Sequence, residues 1–383
     1  MVENVIIAKK VGHLGVLTLN RPQSLNALNV SMIQEMHAQL RAWETDASVY
    51  AVVVQSSSSK AFCAGGDVRW LYDHQGKLED QCSFFCQEYQ LNHCIHTYKK
   101  PYIALMDGIT MGGGVGISLH GSHPVATERF SFAMPETNIG FFPDIGSSYL
   151  LSRCPSYQGI YLGLTGARIT TNETNAVGLI KYQLHSEQLE ALMLQLTELD
   201  LSKNAHDVID QCLMAFMSDN TAIKNVEKKK SEEKLEGTGG ALRKEWIASC
   251  FSNDSVEAIV EALKQSCQTT TPLQADWAQQ TLAALEKKSP ISLKVTLAQI
   301  QRAQKLSFAE CLNMDYVLAQ HFMKSHDFYE GVRAVLVDKD KLPKWKPARL
   351  EAINKTEVAS YFQCSTDEQN GQNSPFPIKI GNA

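Results

Sequence analysis

The 383-residue sequence has no surplus of positive charge: 36 lysines and arginines face 41 aspartates and glutamates, a formal net charge of -5. Non-specific nucleic-acid binders need a basic excess to neutralise phosphates, so no nucleic-acid partner is expected. No apolar run approaches the roughly 18 residues that span a bilayer, so no membrane partner is expected either. Residues Val2 to Ile7 are too short and too weakly basic at their start for a secretory signal. The expected location is therefore the cytoplasm, or the mitochondrial matrix if a presequence has been removed. No fixed-period repeat is present. Phosphate-cradling loops are missing too, because Gly112 to Gly116 lacks the third glycine of a dinucleotide fingerprint and no glycine loop is followed by Gly-Lys-Ser/Thr. A nucleophile elbow fails at Ser118, where the following glycine, Gly121, comes one position late.

Ten cysteines are present but are spread along a long chain without a secretory leader, which reads as reduced, mostly buried thiols. Cys82, Cys86, His93, Cys94 and His96 fall close together on one expected helix, at spacings that match no usual zinc pattern. No metal and no cofactor are expected. With 44% hydrophobic and 20% charged residues, the composition is that of a chain that builds a packed core.

The first half alternates strand and helix signals. Val5 to Ile7 and Val16 to Leu19 are β-branched runs around an expected turn at His13-Leu14-Gly15. Asn29 or Ser31 can cap a helix reaching about Trp43, with Met32, Met36, Leu40 and Trp43 at helical spacing. Strands are expected at 50–55 and 102–106, a helix at 79–98, and short strands between 122 and 132. Beyond about residue 145 nearly everything reads as helix. This order predicts an α/β core with parallel strands at 1–200, an α-helical region at 201–360 and a loosely ordered tail at 361–383. A charged, glycine-ended insertion at 224–240 reads as a solvated connection.

Three kinds of residue carry candidate chemistry. Two glycine-rich turns, around Gly65-Gly66 and Gly112 to Gly114, lack side chains where a backbone would meet a ligand. Two convergent N-H groups there would make an oxyanion hole; equally, the glycines would serve tight turns and close packing. Glu136 and Asp144 lie eight residues apart on a stretch that Pro135, Gly140 and Pro143 keep from regular helix. Phe132, Ile139, Phe141 and Phe142 would desolvate them and raise their pKa values, whereas a surface loop would leave both acids solvated. Glu88 shares a helical stripe with Phe84, Leu91 and Ile95, either as a buried acid or as the edge of that stripe.

Asn20-Arg21-Pro22 with Asn26-Ala27-Leu28, Ala61 to Asp67 and Gly108 to Gly114 together resemble the crotonase (enoyl-CoA hydratase/isomerase) superfamily. Met134 to Thr137, Gly140 to Asp144, Ser325 to Ala334, Asp338 to Asp340 and Pro343 to Pro347 are similar to its thioester-hydrolysing branch. The resemblance covers about residues 3–355. It implies a ββα-superhelix core followed by an α-helical C-terminal region, and an acyl-CoA substrate. It also implies hydrolysis of the thioester of 3-hydroxyisobutyryl-CoA and related short 3-hydroxyacyl-CoAs, as in valine catabolism. By the same resemblance, the N-H groups of Gly66 and Gly113 form the oxyanion hole, Glu136 is the catalytic carboxylate, Asp144 meets the substrate hydroxyl or the reacting water, and Glu88 lines the acyl pocket. Hydratases of the superfamily carry a second glutamate where this sequence has Gly116. An enoyl-CoA hydratase or isomerase, and a non-catalytic acyl-CoA-binding module, remain the alternatives, and homo-oligomer assembly is open. Lys339, Lys341, Lys344 and Lys346 would either meet CoA phosphates or form a solvated face.

Overall fold

The computed structural model describes residues 4–219, 243–269, 271–364 and residue 378. The 224–240 insertion and most of the expected tail lie outside the described residues. By contacts the chain divides into two interleaved units, Met1–Gly66, Leu91–Phe132 and Ile169–Ala241 forming the first, and Asp67–Gln90, Ala133–Arg168 and Leu242–Ala383 the second.

Among the described residues, the strands fall in the first unit but for Ala133 at the end of the eighth. They are β1 (Ile6–Val11), β2 (Leu14–Leu19), β3 (Ala51–Ser56), β4 (Ala61–Cys63), β5 (Tyr102–Met106), β6 (Ile109–Met111), β7 (His123–Ala126), β8 (Ser131–Ala133), β9 (Ile169–Thr170) and β10 (Tyr182–Gln183). A six-stranded sheet runs β1-β2-β3-β5-β7-β10 and a four-stranded sheet runs β4-β6-β8-β9. Only the β1–β2 pair of the larger sheet is antiparallel; β2 to β10 pair in parallel, as strands joined by helical crossovers must. The opening turn falls on Gly12 and His13, one residue earlier than expected, because Leu14 and Gly15 already pair with Val11 and Lys10. Gly12 supplies the left-handed φ of 58° that this turn requires.

Asn29 caps the helix Val30–Thr45, its side chain accepting from the Met32 N-H at 2.9 Å, and Met32, Ile33, Met36, Leu40 and Trp43 form the buried face. Leu14, Val16, Val53, Ile103, Leu105 and Val125 of the sheet pack with Leu192, Leu196, Ile209 and Leu213. Those four come from the helices Leu189–Glu198 and Ala205–Asp219, which cover one sheet face.

The second unit is helical, and its later helices start on sequence-encoded caps: Ser289 opens Pro290–Ala303, and a Ser307/Glu310 capping box opens Phe308–Phe322. The short helix His326–Val332 packs on the turn that carries Glu136, a contact so close that a Cβ at Gly331 would overlap the Ile139 backbone. From the tail, Ile378 is buried, and its backbone exchanges two hydrogen bonds with the Asn313 side chain, at 3.0 and 3.2 Å.

Candidate active site

Glu136 opens a short 3-10 turn, Glu136–Ile139, that Pro135 precedes and Gly140 ends. Gly140 has a φ of 67°, and a Cβ there would collide with the Asp327 carbonyl, so only glycine fits. Beyond Pro143, Asp144 is followed by Ile145 at φ 57° and Gly146 at φ 70°. A β-branched residue in the left-handed region is strained, and such strain persists only where surrounding contacts impose it. Those contacts are visible: Asp315 Oδ2 accepts from the Gly146 N-H at 2.7 Å, and Gln299 donates to the Pro143 carbonyl at 2.9 Å and to Asp315 Oδ1 at 2.7 Å. Two helices thereby fix where the Asp144 side chain is presented.

The helix Leu78–His96 adds Glu88 and Tyr89. Tyr89 donates its hydroxyl to Asp144 Oδ2 at 2.8 Å. Glu88, Glu136 and Asp144 are 2, 7 and 6% exposed, so three carboxylates are withdrawn from water together. Burial pushes the Glu136 and Glu88 carboxyls well above the usual range, and the charge of Asp144 adds to both shifts. Burial also raises Asp144, to about 7, against the opposing hydrogen bond from Tyr89. One oxygen each of Glu88 and Glu136 is buried with no hydrogen-bond partner among the described residues. A buried, unpartnered carboxylate oxygen is costly for folding and available for chemistry. Phe85, Phe322 and Phe328 pack around Phe141 with ring centroids 5.5 to 5.6 Å away, an aromatic cluster next in sequence to the acids.

In the first unit, the two glycine turns follow neighbouring parallel strands. β4 and β6 pair Ala61 with Ile109 and Cys63 with Thr110, so Gly66 and Gly113 both lie just past the C-terminal ends of adjacent strands. The turns touch: a Cβ at Gly114 would overlap the Cys63 carbonyl. Among the described residues, the N-H groups of Gly66 and Gly113 enter none of the turn, loop or cap hydrogen bonds. Gly113 opens the short helix Gly113–Gly116, whose first N-H groups have no intrahelical partner.

The structure thus gathers Glu88, Glu136 and Asp144 in one unit and Gly66 and Gly113 on one strand edge in the other. Sequence reasoning missed Tyr89, Gln299 and Asp315. Asp315 carried a signal, being an acid within the apolar helix Phe308–Phe322, where it is fully buried. Burial pushes the Cys82 thiol up to about 11 and raises the Cys86 and Cys94 thiols. Among the described residues, no group of three or more His, Cys, Asp or Glu is arranged to hold a metal ion. Lys339, Lys341, Lys344 and Lys346 are all exposed.

A family model described as enoyl-CoA hydratase/isomerase matches residues 14–362. The chain is 42% identical over 357 residues to a Xenopus laevis protein named 3-hydroxyisobutyryl-CoA hydrolase, mitochondrial, covering 92% of this chain and 87% of that one. It is 40% identical over 365 residues to a Homo sapiens protein of the same name, covering 94% and 89%. The cytoplasmic expectation finds no support in these names. Among solved structures, a carnitinyl-CoA dehydratase from Mycobacterium thermoresistibile matches with TM-score 0.81 and 32% identity, over 95% of this chain and 98% of that one. An enoyl-CoA hydratase from Rhodobacter sphaeroides 2.4.1 matches with TM-score 0.77 and 31% identity, over 94% and 97%.

Proposed function

The chain belongs to the enoyl-CoA hydratase/isomerase family, and from that membership we propose that it hydrolyses the thioester of 3-hydroxyisobutyryl-CoA to the free hydroxy acid and CoA. Its fold is the family's crotonase-like α/β core with a helical C-terminal region. The observation that carries the reading is Glu136, a buried acid with one unpartnered oxygen, on a turn held in place by Gly140 and the helix His326–Val332. Related short 3-hydroxyacyl-CoAs are substrates of the same class. The corresponding place is a step of valine breakdown, and the relatives' names, which include the word mitochondrial, support a mitochondrial location.

In this reading the thioester oxygen accepts from the N-H groups of Gly66 and Gly113. Each donor aimed at the charge that develops there contributes roughly 3 kcal/mol in a dry site. Glu136 then works by one of two balanced routes. As nucleophile, its carboxylate adds to the thioester carbon, the C-S bond breaks, CoA leaves as a thiolate that takes up a proton, and water opens the mixed anhydride. As base, it takes a proton from the water that adds directly to the same carbon, the C-S bond of the adduct then breaks, and CoA leaves as a thiolate that takes up that proton. Asp144 accepts the substrate's 3-hydroxyl, and Glu88 lines the acyl pocket. Position 116, a glycine, offers no carboxylate for the two-acid addition of water across a double bond.

The test is to mix the protein with 3-hydroxyisobutyryl-CoA and a thiol-reactive dye. Release of free CoA is expected, and Glu136→Gln should lower it by roughly 10² to 10⁴ without loss of fold. Consumption of an enoyl-CoA chromophore without free thiol would instead identify a hydratase or isomerase. Wild-type turnover by a folded Glu136→Gln protein would remove Glu136 from its role.

A further inference from the structure

Asn92, in the first unit, is fully buried, and neither its Nδ2 nor its Oδ1 has a hydrogen-bond partner among the described residues. A buried amide that satisfies none of its donors or acceptors is destabilising, and an apolar side chain of similar shape would avoid the cost. The carbonyls of the Gly112 to Gly114 turn already accept from other groups. The Gly112 carbonyl accepts from Val115 at 2.8 Å, the Gly113 carbonyl from Ile117 at 3.1 Å, and the Gly114 carbonyl from the Ser118 hydroxyl at 2.7 Å.

The amide nonetheless has a definite address. It lies against Gly116, where an added Cβ would come 2.6 Å from Asn92 Nδ2, so the missing side chain at 116 is what makes room for it. Gly116 ends the short helix that Gly113 begins. Asn92 therefore packs against the residue one helical turn after Gly113, whose N-H is proposed to hold the thioester oxygen. A primary amide with a free donor and a free acceptor matches a small ligand that both accepts and donates, and the proposed reaction consumes one: water.

We propose that Asn92 holds the water that hydrolyses the acyl group, Oδ1 accepting one water proton and Nδ2-H donating to the water oxygen. This rests on the thioester-hydrolase reading above. The water oxygen bonds to the acyl carbon, one proton passes to the carboxylate assigned as base or leaving carboxylate, and the bond from the acyl carbon to its leaving group breaks. Asn92 gains or loses no proton. Its contribution is to fix the water's distance and direction, which converts a solvent collision into a reaction of a positioned group.

The experiment compares wild type, Asn92→Leu and Gly116→Ala in steady-state hydrolysis of 3-hydroxyisobutyryl-CoA, in thermal stability, and in partitioning between water and added hydroxylamine. Asn92→Leu keeps the volume and removes both polar atoms. Gly116→Ala leaves Asn92 in place but pushes its amide aside. Both variants are expected to lose kcat by roughly 10- to 100-fold with KM within about threefold. Asn92→Leu should melt no lower than wild type, because it removes an unpaired polar group. Hydroxylamine needs no held water, so the ratio of hydroxamate to free acid should rise about tenfold in both variants. Wild-type kcat in Asn92→Leu, or a fall in kcat with an unchanged ratio, would overturn the role of Asn92 while leaving the hydrolase reading intact. Absence of CoA release by the wild type would overturn both.

Discussion

The Asp144 carboxylate accepts a hydrogen bond from the Tyr89 hydroxyl, whereas one Glu136 oxygen has no partner among the described residues. That donor favours the charged form, so Asp144 ionises before its neighbour, and its charge then opposes ionisation of Glu136. A substrate 3-hydroxyl donating to Asp144 disperses this charge and eases the second ionisation. Wild type should therefore prefer 3-hydroxyisobutyryl-CoA to isobutyryl-CoA by up to about 10⁴ in kcat/KM, and Asp144→Ala should erase most of that preference. Kinetics on the two thioesters check this; equal wild-type rates would make the protein a general acyl-CoA thioesterase. The same residue predicts a pH effect on stability. Its folded value of about 7 exceeds the ordinary 3.8, so its stabilising contribution is complete below about pH 4 and is lost as pH rises through about 7. Asp144→Asn should accordingly gain in melting temperature relative to wild type at pH 8, and gain less or nothing at pH 4.5. An identical difference at both pH values would mean the carboxyl is not perturbed in this direction.

At the scale of elements, the helix His326–Val332 matters less for its length than for its closeness to the Glu136 turn. Gly331 lets it approach the Ile139 backbone, and Gly140 lets the turn approach the Asp327 carbonyl. Asp327 in turn anchors surrounding segments, accepting from the Ser289 hydroxyl at 2.6 Å and from the Lys346 N-H at 2.7 Å. Gly331→Val should therefore cost about 1 to 3 kcal/mol through overpacking and also lower kcat, because relief requires the turn or the helix to move. Thermal denaturation and turnover measured on the same preparation check this. Full activity with a lowered melting temperature would show that the turn does not depend on this packing.

For the whole molecule, substrate binding is linked to folding, because the proposed contacts exist only in the native chain. The Glu136→Gln protein, with turnover suppressed, should gain about 2.7 kcal/mol when 3-hydroxyisobutyryl-CoA is held at 100 times its Kd. Denaturation with and without the thioester measures the gain. CoA alone should give a smaller shift in proportion to its weaker affinity, and no shift with the thioester would mean that the variant does not bind.

Local rules determined much of this protein from sequence alone. Asn29 and the Met32-Met36-Leu40-Trp43 spacing specify the first long helix, and short apolar runs specify β2, β3 and β5, because capping and periodicity act within a few residues. Glu88, Glu136 and Asp144 were also legible, as acids among apolar residues. What sequence did not reveal is everything that depends on distant segments meeting. The two units interleave along the chain, so contacts rather than order define them. Tyr89 reaches Asp144 across 55 positions, and Asp315 holds Gly146 across 169. Two short strands, β9 and β10, sit in a stretch that read as helix, since each is only two residues long and exists through its partner strand. Asn92 carries the same lesson: an asparagine on a helix is unremarkable in sequence, and only tertiary packing strips its amide of partners and sets it against Gly116. Local propensity is written in neighbouring residues, whereas desolvation and hydrogen-bond satisfaction are properties of the surroundings that the folded chain alone creates.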